Sequence, residues 1–180
     1  AALFQSVTLR TAGFASFNQD ALTEASKLLS NILMFVGGSS GSTAGGVKTV
    51  TMGLVILSAV STMRGRRQVT VFRRSISQQD ISNAVSVALL VLGLSLFGAA
   101  VLTVCDRCSF LNAIYETTSA LCTVGLTTGI TGTLCAASKL ILIVFMFFGR
   151  VGIMTIGVGF MMGDRARERV QYAETKVMIG

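Results

Sequence analysis

Long apolar segments, separated by short polar ones, dominate the chain. Residues 81–105 contain no charged side chain, and residues 140–163 contain one, Arg150. A helix of about 20 apolar residues crosses the hydrocarbon core of a bilayer, which is roughly 30 Å thick. The pattern therefore predicts two membrane-spanning helices, at 81–104 and 138–162.

A third apolar segment, residues 28–63, is interrupted by glycines and hydroxyl residues and has one charge, Lys48. As one straight helix it would be about 54 Å long, far more than a bilayer requires. Irregular backbone at membrane depth is tolerated where it is buried in protein or lines a water-filled cavity. The sequence predicts a helix broken into 28–36 and 47–63. The polar loop between them consists of Gly37, Gly38, Ser39, Ser40, Gly41, Ser42, Thr43, Ala44, Gly45 and Gly46.

The overall composition supports a membrane protein. Of the 180 residues, 52% are hydrophobic and 13% charged, with a mean hydropathy of +0.72, whereas a soluble domain has about 25% charged residues. The chain has no His, which excludes His-based triads and imidazole metal sites. We therefore do not expect an enzyme. Cys105 and Cys108 have CxxC spacing without a second pair, so an ordinary loop is favoured over a zinc site.

The positive charge indicates an orientation in the membrane. Residues 64–80 carry five Arg and one acidic residue, Asp80. Because cytoplasmic loops have an excess of Lys and Arg, residues 64–80 and the tail 164–180 are predicted to face the cytoplasm. Few aromatic residues and no Trp accompany the net charge of +7, so no nucleic-acid partner is expected. A regulatory or lipid-contacting role for the arginines is an additional alternative.

The chain repeats itself with an offset of 112 residues. Between residues 11 and 37 the gap-free match has ten identities, where chance would give about two or three for this composition. Internal repeats are common in transport proteins. The identical pairs are Thr11/Thr123, Gly13/Gly125, Leu22/Leu134, Ala25/Ala137, Ser26/Ser138, Lys27/Lys139, Leu28/Leu140, Met34/Met146, Phe35/Phe147 and Gly37/Gly149.

Each repeat places a short helix before a Thr-x-Gly loop. In the second unit, 81–163, the order is span, short helix 110–121, filter loop 123–127 and span. A helix of about 18 Å is too short to cross and suits a re-entrant segment. The first unit, 1–63, has the same order without its first span, with a loop at 8–14 and a broken second span at 21–63. We expect the chain to be part of a longer protein.

This arrangement is typical of a cation pore. Backbone carbonyls can replace the water around a dehydrated ion, and Gly13 and Gly125 permit the positive φ that an alternating backbone needs. The hydroxyls of Thr11 and Thr123 can add oxygen ligands, and a helix ends with its negative dipole there. For one loop alone, a helix-packing glycine is the alternative.

Four motifs resemble the Trk/Ktr/HKT superfamily of potassium transporters, and most of all its Ktr-type membrane subunits. They are FQSVTLRTAGF at 4–14, GGSSGSTAGGVKT at 37–49, TVGLTTGIT at 123–131 and GRVG at 149–152. The resemblance implies an all-α membrane protein with four span–pore-helix–filter loop–span repeats around one pore. This chain resembles most of the third repeat and all of the fourth, so the N-terminal half would be missing.

The resemblance also implies site residues. Carbonyls of 8–14 and 123–127 would form the potassium filter, and the polar loop 37–46 would gate the cavity below it. Arg150, which aligns with Gly38 in the repeat, would project into the pore. The implied filter set is Thr8, Arg10, Thr11, Ala12, Gly13, Phe14, Cys122, Thr123, Val124, Gly125 and Leu126.

Two charged residues keep two interpretations each. Lys48 either extends towards the cytoplasmic side or holds the end of the loop. Glu116 either supports the filter from behind or lies in a solvated outer position.

The family further implies potassium as the transported ion, with sodium as a possible activator. Its membrane subunits form homodimers on a cytoplasmic ring of nucleotide-binding subunits, so a nucleotide would act only through that partner. GSTAGGVKT itself fails the P-loop spacing, because Val47 separates Gly46 from Lys48. The competing class is an ion-coupled secondary transporter with a midplane site at the broken helix.

Overall fold

The computed structural model describes residues 2–39, 41–42, 44–65, 69–71 and 74–152. Six α-helices follow in order: α1 (Ala2–Thr8), α2 (Glu24–Phe35), α3 (Thr49–Met63), α4 (Gln78–Asp106), α5 (Phe110–Leu121) and α6 (Ala136–Val151). Short 3₁₀ turns occur at Gln19–Ala21 and Ile130–Gly132.

The helical class predicted from the sequence is confirmed, with one addition in the basic loop. Strands β1 (Thr70–Val71) and β2 (Arg74–Ser75) pair there as an antiparallel hairpin. Parts of several predicted features lie outside the described residues. These are Ser40 and Thr43 of the polar loop, residues 153–162 of the last span, and the tail 164–180.

Helix α4 contains the predicted span 81–104 and extends beyond it at both ends. It has 29 residues, and among the described residues it is the one helix long and apolar enough to cross a membrane. Its early start follows from a cap, because the Ser77 hydroxyl accepts the Asp80 N–H at 3.1 Å and donates to the Asp80 carboxylate at 2.8 Å. Helix α6 covers the described part of the other predicted span, 138–162.

The predicted break in the apolar segment 28–63 is present. Helix α2 ends at Phe35 and α3 begins at Thr49. The two ends are joined by backbone hydrogen bonds from Gly37 N to Val47 O at 2.8 Å and from Val47 N to Phe35 O at 3.3 Å. The chain thus replaces the lost helical hydrogen bonds with contacts between the two sides of the break.

Helix α5 lies at the centre of the structure and packs against α2, α4 and α6. All its residues from Tyr115 to Leu121 are buried. At its start, Asn112 accepts a hydrogen bond from Lys27 of α2 at 3.0 Å, and the same ammonium group pairs with Asp20 at 3.0 Å. In contrast, large apolar side chains on α4 and α6 face outwards, among them Leu89, Phe97, Leu140 and Phe147.

The segment with CxxC spacing connects helices. Asp106, between the two cysteines, accepts the Cys135 N–H at 2.6 Å and the Ser138 hydroxyl, so the end of α4 holds the start of α6. Burial raises the pKa of the Cys108 thiol, which disfavours the thiolate that a metal would need. The described residues include no group of three or more side chains suited to a metal ion.

A glycine on α4 permits its close approach to α5 and α6. A Cβ at Gly98 would lie 2.3 Å from the Phe145 ring and 3.0 Å from a Thr117 methyl group, whereas one at Gly93 meets nothing within 4 Å. We expect Gly98→Ala to destabilise the full-length protein by about 1–3 kcal/mol, the usual cost of overpacking. Gly93→Ala should be neutral or slightly stabilising. Thermal unfolding in detergent measures both, and equal midpoints would contradict the packing described.

Candidate functional site

The two Thr-x-Gly loops have positive φ at the same two positions. In the first, φ is +65° at Thr11 and +76° at Gly13; in the second, it is +57° at Thr123 and +86° at Gly125. A threonine with positive φ is strained by about 1–3 kcal/mol and persists where its surroundings impose that conformation. The internal repeat in the sequence thus corresponds to a repeated, strained loop conformation.

Each loop is held by the helix that precedes it. The N–H groups of Ala12 and Gly13 both donate to Thr8 O, at 3.1 and 3.3 Å, and the Val124 N–H donates to Ser119 O at 2.9 Å. The N–H groups of the loops therefore donate hydrogen bonds to carbonyls at the end of the preceding helix. In the described part of the chain, no hydrogen bond is donated to the carbonyls of residues 11–13 or 123–125. Within the described residues, the backbone hydrogen bonds of these two tripeptides thus run through their N–H groups.

Hydroxyl groups anchor the far end of both loops. Thr8 donates to Phe14 O at 2.7 Å, and Ser119 donates to Leu126 O at 2.6 Å. The carbonyls of Thr8, Phe14 and Leu126 are thus already hydrogen-bonded within the protein. These hydrogen bonds fix the loop, and the expectation that the three carbonyls supply ion ligands stays a prediction. Ser119 is not among the predicted site residues, and a hydroxyl in the last turn of a short apolar helix was the available signal for it.

The two loops lie directly against each other. A Cβ at Gly13 would fall 2.3 Å from Val124 O, and one at Gly125 would lie 3.9 Å from the Gly13 Cα. Val124 is buried and Gly125 is exposed. The side chains of Arg10 and Phe14 are exposed as well. The structure thus brings the central residues of both predicted filters together, and leaves the side chains of Arg10 and Phe14 at the surface.

The polar loop 37–46 contacts the second Thr-x-Gly loop at its first residue. The Gly45 N–H donates to the Thr123 hydroxyl at 2.9 Å. A Cβ at Gly46 would lie 2.8 Å from the sulfur of Cys122, which is itself fully buried. Both glycines are therefore needed for this close approach. Described residues of the polar loop thus pack against one end of the second Thr-x-Gly loop.

Two cavities meet at Arg150 in the last turn of α6. One, of about 820 Å³, lies between the polar loop, α3, α4 and α6, and is also lined by Lys48 and Asp80. The other, of about 490 Å³, runs beside Thr123 and Gly125. Lys48 is half-buried at the position that caps α3. Arg150 therefore lies where the second Thr-x-Gly loop and the larger cavity adjoin.

Glu116 is a buried carboxylate that holds the segment after the second loop. It accepts hydrogen bonds from the Thr127 hydroxyl at 2.6 Å, the Thr128 N–H at 2.9 Å, the Thr128 hydroxyl at 3.1 Å and the Thr131 hydroxyl at 3.0 Å. Its exposed fraction is 5%. The structure supports the interpretation in which Glu116 lies behind the second Thr-x-Gly loop, because Glu116 is buried and not solvated.

Replacing this carboxylate should loosen the segment that follows the loop. In Glu116→Gln one acceptor oxygen becomes an amide nitrogen that only donates, so the four hydrogen bonds cannot all persist unchanged, at a cost of about 1–3 kcal/mol. We expect faster amide hydrogen exchange at residues 127–131 of the full-length protein. Glu24→Gln, at an exposed position on α2, is the control. Equal exchange in both variants would show that Glu116 does not hold the segment.

Comparison with known proteins gives the family. Residues 1–167 match TrkH, a family of cation transport proteins. The chain is 37% identical over 180 residues to the Ktr system potassium uptake protein B of Bacillus subtilis, covering 100% of this chain and 40% of that protein. It is 36% identical over 182 residues to the potassium/sodium uptake protein NtpJ of Enterococcus hirae, covering 98% of this chain and 40% of that protein.

A third relative is the Ktr system potassium uptake protein D of Bacillus subtilis, at 33% identity over 99% of this chain and 39% of that protein. The chain thus spans about 40% of the length of these relatives. They are named as potassium or potassium/sodium uptake proteins, in agreement with the expectation that the chain is not an enzyme. This chain belongs to the TrkH family of cation transport proteins.

Proposed function

We propose that this chain is part of a potassium uptake protein in which both Thr-x-Gly loops contribute backbone carbonyls to a selectivity filter. The observation that carries the proposal is the positive φ at Thr11, Gly13, Thr123 and Gly125, in adjoining loops whose central carbonyls accept no hydrogen bond among the described residues. Relatives named for potassium and potassium/sodium uptake support the choice of ion.

The physical basis is replacement of the ion's hydration shell. Carbonyl oxygens on one axis compensate a potassium ion for the water that it loses. The carbonyls at the centre of the loops, residues 11–13 and 123–125, would serve as these ligands, with the Thr11 and Thr123 hydroxyls at one end. Helices α1 and α5 end at the loops, so their partial negative charge favours a cation there.

Two loops surround only part of an axis. We therefore propose that the remainder of the polypeptide adds two further repeats, so that four loops enclose one pore. The proportion of the relatives that this chain spans, about 40%, supports this arrangement. The present chain would then supply most of the third repeat and all of the fourth.

Gating would depend on the polar loop 37–46, together with Lys48 and Arg150. The loop packs against Thr123 through Gly45, so an ion leaving the filter at this end would meet it. The positive charge of Arg150 beside this end would also repel a cation at short range. Opening would require the loop to leave Thr123.

We place the protein in the cell membrane, with residues 64–80 and the C-terminal tail in the cytoplasm. Relatives named as proteins B and D of a Ktr system support partners in such a system. We propose a homodimer of the membrane subunit on a cytoplasmic nucleotide-binding ring. Sodium could activate transport, as a relative named for potassium/sodium uptake allows.

Changing Gly125 should reduce selectivity. Gly125→Ser adds a side chain at φ +86°, which displaces the neighbouring carbonyls without an immediate clash. In liposomes with the full-length protein, we expect the potassium-to-sodium flux ratio to fall about tenfold, the result of roughly 1.4 kcal/mol of lost discrimination. Rubidium flux measured in parallel indicates whether the larger ion is still accepted.

The matched control is Gly129→Ser. Gly129 also has a positive φ, +93°, and open space around it, but it lies beyond the loop. Its selectivity should stay at the wild-type value. If Gly125→Ser also kept the wild-type ratio, the filter would be refuted, and the ion site would move to the broken helix of a secondary transporter.

Disturbing the contact between Gly45 and Thr123 should open the gate. A methyl group at Gly45 would lie 2.7 Å from the Thr123 hydroxyl, whereas one at Gly41 meets nothing within 4 Å. We expect Gly45→Ala to raise potassium flux several-fold in liposomes without any added partner. Gly41→Ala, which strains the same loop at φ +86°, should not. Wild-type flux in Gly45→Ala would contradict the gating proposal.

A further inference from the structure

A buried glutamine connects the two halves of this structure behind the Thr-x-Gly loops. Gln19 starts the 3₁₀ turn that follows the first loop, and 1% of it is exposed. Its side chain contacts α1, which precedes the first loop, and α5, which precedes the second. A buried amide is costly unless it is fully hydrogen-bonded, so its partners show what this residue holds in place.

Every hydrogen-bonding position of the Gln19 side chain is used. Its oxygen accepts from Gln5 Nε2 at 2.6 Å and from the Tyr115 hydroxyl at 3.2 Å. Its nitrogen donates to Phe17 O at 3.1 Å and to Gln5 Oε1 at 3.4 Å. A glutamine side chain offers two acceptor and two donor positions. Since Phe17 O can only accept, the orientation of the Gln19 amide is determined.

The network joins residues that are far apart in the sequence. Gln5 is on α1, three residues before Thr8, whose carbonyl and hydroxyl hold the first loop. Tyr115 is fully buried on α5, four residues before Ser119, which holds the second loop. A movement at Gln19 would therefore reach both loops through about one turn of helix.

The second repeat shows what is particular to Gln19. Its counterpart in the repeat is Thr131, which donates to Glu116 on the preceding helix α5 at 3.0 Å. Both residues thus connect the segment after a loop to the helix before it. Gln19 additionally reaches the neighbouring repeat through Tyr115. Among the described hydrogen bonds of Gln19 and Thr131, the bond between Gln19 and Tyr115 is the one that joins the two repeats.

We propose that Gln19 is a positioning residue for ion selectivity, which sets the separation of the two filter loops through its hydrogen bonds to Gln5 and Tyr115. The inference rests on the proposed filter. The loops are in direct contact at Gly13 and Val124, so a displacement of α1 relative to α5 changes the spacing of their carbonyls. Functional geometries of this kind tolerate displacements of about 0.5 Å.

The test removes the hydrogen bond between repeats and keeps the packing. Tyr115→Phe deletes one buried hydroxyl of α5. Thr117→Val is the matched control, because Thr117 is equally buried on α5 but its hydroxyl donates to Ser95 O on α4, at 3.1 Å, and to Ile114 O. Both variants of the full-length protein are reconstituted in liposomes, and potassium, rubidium and sodium fluxes are measured with thermal unfolding midpoints.

We expect Tyr115→Phe to lower the potassium-to-sodium flux ratio at least threefold, while Thr117→Val keeps it and the two unfolding midpoints change similarly. Gln19→Met should lower the ratio further, and adding Tyr115→Phe to it should have little extra effect, since the shared hydrogen bond is already gone. Equal loss of selectivity in Tyr115→Phe and Thr117→Val would overturn the inference, since it would indicate general loosening of α5.

Gly125→Ser in the same liposomes separates this inference from the proposed filter. If Gly125→Ser loses selectivity while Tyr115→Phe and Gln19→Met retain it, Gln19 is not a positioning residue and the filter stands. If Gly125→Ser also retains selectivity, the filter is refuted and this inference with it. Should Gln19→Met fail to fold, Tyr115→Phe against Thr117→Val decides the matter alone.

Discussion

The structure depends on how the N–H and carbonyl groups of irregular backbone find hydrogen-bond partners among apolar helices. Where a helix ends away from water, its last carbonyls and the following N–H groups must find partners within the protein. Within the part of the chain that the structure describes, three such places are the two Thr-x-Gly loops and the polar loop 37–46. In each Thr-x-Gly loop, N–H groups donate hydrogen bonds to carbonyls of the preceding helix. The polar loop instead bonds across its own break and, through Gly45, to Thr123. The ends of these helices therefore determine which loop carbonyls accept no hydrogen bond among the described residues.

Local patterns predicted much of this fold. The short helix 110–121 lies at the predicted residues, because its length and its polar boundaries are visible in the sequence. The repeat identified Thr11, Gly13, Thr123 and Gly125, and all four have positive φ. The start of α2 at Glu24, earlier than predicted, follows from the Thr23 cap. The hairpin in the arginine-rich loop was not predicted, since strands of two residues leave no pattern.

Tertiary partners were the part that the sequence could not predict. Gln5, Gln19 and Tyr115 are unremarkable polar residues until folding brings them together over 14 and 96 positions. Likewise, Glu116 had two interpretations because its partners, three threonine residues at 127–131, lie beyond the loop. No periodicity encodes such contacts. They depend on the close packing of α5 against its neighbours, which the sequence of α5 alone does not specify.

The two repeats diverge at one pair of equivalent glycines, Gly37 and Gly149. A Cβ at Gly37 would meet Gly45 O at 2.4 Å, and one at Gly149 would meet Leu121 O at 2.1 Å. Both positions thus require glycine, but for different contacts. After Gly37 the helix is already broken, and the chain folds back as the polar loop. At Gly149 the helix continues to Val151, and Arg150 lies beside the second Thr-x-Gly loop. Equivalent positions of the two repeats therefore precede a polar loop in one repeat and a helical turn with Arg150 in the other. The polar loop and Arg150 lie close together beside Thr123. This difference between the repeats is the asymmetry that the proposed gate would need, since a pore of identical repeats would present the same group to the ion from every side.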